Sequence, residues 1–174
     1  MFTAGHCSAR RGSVGPVDRP LHEDLAPLAF LVGTWRGRGK GSYPTTDAFA
    51  YDEEITFSHI GKPFLAYTQR TTHPEKGFPM HAETGFWRAG PGGHVEILLV
   101  HPTGIAEIQE GTVRGTTVDV ATTSVTRTST AKEVNGLERT FTLDGDVLRY
   151  EVRMAAVGVP LTPHLSAELR RVEG

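Results

Sequence analysis

The sequence predicts an all-β fold, a ten-stranded antiparallel up-and-down β-barrel with a short N-terminal helical turn. Three observations carry that prediction. From Thr34 onward the chain reads as short alternations of apolar and polar residues broken by Gly- and Pro-rich turns. The run Gly33-Thr34-Trp35-Arg36-Gly37-Arg38-Gly39 puts glycines and one Trp on alternate positions, so all share one face of an extended chain. A first strand of that kind bends sharply while its single large ring plugs the barrel floor. Successive strands are joined by short turns, which suits a meander that closes on itself and leaves no edge. A closed barrel with so little side-chain bulk on its first strand implies an internal cavity, and a cavity implies a ligand.

The elements follow in order. Residues 1–20 are rich in Gly, Ser, Arg and Pro without periodicity and are expected to be a disordered leader to a single domain over 21–174. Leu25, Leu28, Ala29 and Val32 have helical spacing, and the early Pro27 limits that stretch to one or two turns. Ala50 to Ile60 alternates Ile55 and Phe57 against Glu54, Thr56 and Ser58, and Gly61-Lys62-Pro63 turns it into Phe64 to Thr71. Met80 to Ala89 ends at Gly90-Pro91-Gly92-Gly93, and Val95 to Val100 ends at the tight turn His101-Pro102-Thr103-Gly104. Ile105 to Val113 and Thr117 to Thr123 form the next pair. Glu138 to Leu143 and Val147 to Val157 flank Asp144-Gly145-Asp146, a strong hairpin signal. A last strand starts near His164 and runs to Val172, its start fixed by Pro160 and Pro163.

Composition excludes several functions. The formal net charge is −2 with both signs interspersed, so no basic stripe for nucleic acid exists. No apolar run approaches the roughly 20 residues of a membrane-spanning helix. The single Cys7 rules out an internal disulfide framework and points to a reducing cytoplasm. No nucleophile elbow, phosphate loop or zinc motif is present.

Eight histidines remain to be placed. His164, held behind Pro160 and Pro163 near a barrel opening, could serve as an axial ligand to a haem iron, or be a surface residue at a strand end. Strand parity puts Leu165, Ala167 and Leu169 on the apolar face and His164 on the other. Either the strand start is irregular, or the pocket lies beyond the regular interior. Met80 shares a face with Ala82, Thr84 and Phe86, whereas His81 shares one with Glu83, Gly85 and Trp87. Met80 and Met154 are either core or adaptable cavity lining beside a planar cofactor. His81 is a structural histidine or faces a cofactor from the side opposite His164. His101, before Pro102, reads as a turn residue.

Over roughly residues 24 to 172 the chain resembles the nitrobindin family. The resemblance rests on Gly33-x-Trp35-x-Gly37-x-Gly39, Tyr43-Pro44-Thr45, Gly61-Lys62-Pro63-Phe64-Leu65, His81-Ala82-Glu83-Thr84-Gly85-Phe86, His101-Pro102-Thr103-Gly104 and Pro163-His164-Leu165-Ser166-Ala167, in that order. It implies a ten-stranded barrel, similar to fatty-acid-binding proteins, with one ferric haem b in a wide cleft. It implies further that His164 ligates the iron, that Thr45 and Lys132 contact the haem, and that the activity is isomerisation of peroxynitrite to nitrate, with NO as a further ligand. The expected assembly is a monomer or homodimer. Two alternatives use the same barrel: a lipid or small-apolar-ligand carrier, and a haem protein that senses or stores NO or traffics haem without catalysis.

Overall fold

The computed structural model describes residues 19–172. Cys7 and all but the last two residues of the expected leader lie outside them. A nine-residue 3₁₀ helix, Glu23–Leu31, precedes ten strands: β1 (Gly33–Tyr43), β2 (Thr46–Ser58), β3 (Leu65–Thr72), β4 (Pro79–Ala89), β5 (His94–His101), β6 (Ile105–Arg114), β7 (Thr117–Arg127), β8 (Val134–Asp144), β9 (Val147–Ala156) and β10 (Val159–Arg171). Each strand pairs antiparallel with its sequence neighbour, and β10 pairs with β1 to close the barrel. Among the described residues no helix is long and apolar enough to cross a membrane.

The first strand behaves as its glycines require. Trp35, Gly39 and Gly41 point inward and are buried. A Cβ at Gly39 would fall 2.2 Å from the Tyr51 ring, and one at Gly41 would fall 2.4 Å from Phe49. The absent side chains are therefore the space that the β2 aromatics fill. Trp35 donates from its indole N–H to the Leu31 carbonyl at 2.8 Å, fastening the 3₁₀ helix across one end. Leu25, Leu28 and Leu31 are fully buried there. Above them Phe57, Trp87 and Phe141 pack edge to face, with ring centroids 5.1 Å apart in each successive pair. This apolar end is the barrel's closed floor.

The opposite end is looser. β10 starts at Val159, five residues before His164, and both prolines lie within it. They are tolerated because β1 pairs only with Leu165–Arg171, so the first half of β10 has a free edge on that side. β7 and β8 likewise pair only as far as Ala121 and Glu138, leaving the rest of β7 without a β8 partner. These two gaps open the barrel at the end away from the helix.

Candidate functional site

The open end leads into a cavity of about 340 Å³, within the range of small-molecule sites. Its lining has two layers. Near the mouth stand Phe49, Met80, Ile105, Val134, Met154, Leu165 and the imidazoles of His81, His101 and His164. Deeper, against the aromatic floor, lies a belt of polar side chains from six strands: Tyr51 and Glu53, Tyr67 and Gln69, Glu83, Glu107, Arg139, and Tyr150.

His164 reaches the cavity through a defect in pairing. Pro163 pairs with Arg153 and Leu165 with Val152, so His164 has no partner on β9 and forms a β-bulge. One extra residue re-aims the side chain, and His164 and Leu165 both line the cavity. The parity conflict in the sequence is resolved by an irregular strand. The His164 Nδ1 lies 3.1 Å from the Ser42 carbonyl oxygen and donates to it, which leaves the Nε2 lone pair free. Tyr43 packs edge-on against the imidazole at 5.2 Å and Phe49 at 6.5 Å. Burial depresses the His164 pKa below the usual imidazole value, with the Ser42 bond opposing and the Arg139 charge assisting. The ring is therefore neutral at physiological pH.

A second bulge does the same for Met80. Thr71 pairs with His81 and Thr72 with Pro79, so Met80 is the extra residue and lines the mouth together with His81. His81, Glu83 and Trp87 face inward while Phe86 is exposed, as alternation requires. Met154 also lines the cavity. Thr45 and Lys132 do not: both are exposed. Thr45 lies two residues after Tyr43, and Lys132 two residues before the cavity-lining Val134.

His101 differs from the sequence expectation. It ends β5 rather than sitting in the turn, and its side chain is 7% exposed. The inward parity of Ile97 and Leu99 extends to it. His101 Nδ1 is 3.2 Å from His81 Nε2 and 3.4 Å from Glu83 Oε2, and its Nε2 is 2.6 Å from Glu107 Oε1.

The polar belt carries a signal in the sequence: Glu53, Glu83, Glu107 and Arg139 are charged residues at inward positions of strands whose inward faces are otherwise uncharged. Arg139 donates to both oxygens of Glu83 at 2.8 and 3.0 Å and to Glu107 Oε1 at 3.3 Å. Tyr67 donates to Glu83 Oε1 at 2.7 Å. Burial disfavours the Glu83 carboxylate, but the Arg139 guanidinium outweighs it and holds the carboxyl at about 2. Burial opposes the Glu107 carboxylate too, and the neighbouring His101 and Arg139 pull its pKa below the ordinary value. Glu53 has no guanidinium of its own. It accepts from Gln69 Nε2 at 2.7 Å and from the Tyr150 hydroxyl at 2.9 Å, and burial pushes it up to about 7. The Tyr51 and Tyr150 hydroxyls, 2.7 Å apart, extend this chain toward β1.

The arrangement combines an apolar mouth, a neutral imidazole with one free nitrogen, and a net negative belt below. Residues 24–171 match the family model described as THAP4-like, heme-binding beta-barrel domain. The chain is 54% identical over 155 residues to a Mycobacterium avium protein named Peroxynitrite isomerase 2, covering 87% of this chain and 96% of that one. It is 53% identical over 155 residues to Peroxynitrite isomerase of Nocardia farcinica, covering 87% and 92%. The crystal structure of Rv2717c from M. tuberculosis superposes with a TM-score of 0.83 at 45% identity, covering 88% of this chain and all of that one. A match across nearly the whole barrel, with relatives at half identity, makes this chain a member of the THAP4-like haem-binding β-barrel domains, the nitrobindin family.

Proposed function

We propose that this chain holds haem b through His164 and, so loaded, isomerises peroxynitrite to nitrate. The observation that carries the reading is the bulge in β10, which turns His164 into the cavity with Nδ1 tied to Ser42 and Nε2 free. A haem-ligating imidazole needs this neutral tautomer and a fixed ring plane. The apolar mouth suits the macrocycle faces, with Met80 and Met154 as adaptable packing. Thr45 and Lys132, exposed outside the lining, have the chemistry to meet propionate carboxylates.

When bound, the haem iron supplies the redox-active Lewis acid at which the peroxynitrite O–O bond is rearranged to nitrate. The isomerisation conserves atoms, charge and electrons, so no proton or reductant is consumed. The chain's task is to hold, orient and confine. His164 would hold the cofactor through its free Nε2. His81, on another wall of the same cavity, offers a hydrogen-bonding group to a small ligand. Burial depresses the His81 pKa, so it acts as a neutral imidazole. NO is a second ligand of the same size class. The lone Cys7 fits a reducing cytoplasm.

The carrier reading meets an electrostatic obstacle. A fatty-acid carboxylate inside a barrel needs an available cation, and Arg139 is already held by Glu83 and Glu107.

The test replaces His164 with Ala and titrates haem by its Soret band, then follows peroxynitrite decay with catalytic protein. We expect weaker haem binding by tenfold or more, about what loss of a metal ligand or its support costs, and decay no faster than with haem-free protein. Equal affinity and an unchanged spectrum in the variant would refute the axial assignment.

A further inference from the structure

We propose that His81, His101 and Glu83 form a second metal site in the cavity, for a divalent first-row transition ion. The site is distinct from the one assigned to His164 and does not depend on haem.

Three atoms converge. His81 Nε2 and His101 Nδ1 are 3.2 Å apart, and His101 Nδ1 and Glu83 Oε2 are 3.4 Å apart. One donor atom from each residue lies within 4.8 Å of the others. A tetrahedral ion with ligands at about 2.0–2.1 Å keeps them about 3.4 Å from one another. Two of the three separations thus stand at ligand spacing, and the third, between His81 and Glu83, lies within 4.8 Å. Two imidazoles and one carboxylate are a donor set suited to zinc or ferrous iron.

The surroundings complete the pattern. A metal-bound imidazole characteristically presents its other nitrogen to a carboxylate. His101 does so: its Nε2 is 2.6 Å from Glu107 Oε1, within ion-pair distance but outside hydrogen-bond alignment, which leaves that buried nitrogen without a hydrogen-bond partner. The side chains of His101 and Glu83 are 7% and 5% exposed, so the site is dry except toward the cavity.

Charge points the same way. The cavity is lined by three carboxylates, Glu53, Glu83 and Glu107, against one guanidinium, Arg139. With neutral imidazoles the belt carries an excess of two negative charges when all three carboxylates are ionised, and one divalent ion cancels it. Arg139 engages both Glu83 oxygens, so Glu83 contributes one shared oxygen, and the two imidazole donors favour a transition ion over calcium or magnesium.

The experiment dialyses the full-length, haem-loaded protein against zinc after chelator treatment and counts bound zinc by mass spectrometry, with circular dichroism as the folding check. We expect one saturable zinc per chain. X-ray absorption at the zinc edge should show two imidazole ligands at about 2.0–2.1 Å. His81→Ala and His101→Ala should each abolish saturable uptake, and Glu107→Gln should weaken it about tenfold. His94→Ala, at the surface His94–Glu96–Glu110 cluster, and His164→Ala should leave zinc unchanged. The last variant separates this site from the haem reading. No saturable zinc in the wild type, full zinc in both His81→Ala and His101→Ala, or loss of zinc in His94→Ala or His164→Ala would each overturn the assignment. Should one cavity variant misfold, the other variant and the absorption spectrum still decide.

Discussion

The Nδ1 of His164 stands 3.1 Å from the carbonyl oxygen of Ser42, a residue 122 positions earlier in the chain. The contact exists because β1 and β10 close the barrel and the β10 bulge swings the imidazole inward beside Tyr43. Tyr43 is in turn fixed from β9: its hydroxyl accepts from the Ala156 N–H at 2.9 Å and lies 3.1 Å from the Met154 carbonyl. Tyr43→Ala should free the ring and lower haem affinity about tenfold, as loss of an outer support to a metal ligand does. Soret titration checks this. An affinity within twofold of the wild type would mean that the bulge alone orients His164.

Glu53 should make stability fall as pH rises. Its pKa is raised from 4.5 to about 7 in the folded state. The protonated carboxyl therefore stabilises the fold below the unfolded-state value, and that contribution is lost as pH climbs through about 7, on the order of 3 kcal/mol in all. Glu53→Gln should be more stable relative to wild type at pH 8 than at pH 5, read by urea denaturation at both. A difference independent of pH would show that Glu53 does not titrate in this window.

Glu83 and Arg139 carry the opposite dependence. The Glu83 carboxyl is lowered from 4.5 to about 2, so its stabilisation is present above 4.5 and lost as pH falls through about 2. Arg139→Met strands two buried carboxylates and should cost about 3–5 kcal/mol at neutral pH. Part of that loss should return between pH 7 and 5, where the stranded carboxyls can protonate. Thermal melts across that range read the recovery, and a cost that does not shrink toward acid pH would contradict the pairing.

Gly39→Ala should perturb the cavity from its back wall. The new methyl would overlap the Tyr51 ring at 2.2 Å, and overpacking of this kind costs about 1–3 kcal/mol. Displaced Tyr51 would also lose its 2.7 Å contact with Tyr150. A second substitution, Tyr51→Leu, should restore part of the stability in a double-mutant comparison. Simple additivity of the two losses would rule out the clash.

The barrel was legible because its information is local. Alternation with a period of two, turn residues at short intervals and the Gly33–Gly39 run each act on neighbouring positions, so the strand order follows from chain order alone. That His81 and Glu83 share a face of β4 was legible on the same ground, and closure of the barrel turned that face inward. Boundaries moved where pairing decided them: β10 began five residues early because its first half pairs with β9 alone, a fact written in no single segment.

By itself, then, the sequence determined the closed meander, the inward face of most strands and the family to which the motifs point. Only the tertiary structure decided how the site is assembled. Two bulges, each a mismatch between strands that no local pattern encodes, bring His164 and Met80 into the cavity. His81, Glu83, His101, Glu107 and Arg139 come from four strands and meet only when the sheet closes. The pKa directions of its members follow from that meeting, because burial and the Arg139 charge act through space rather than along the chain.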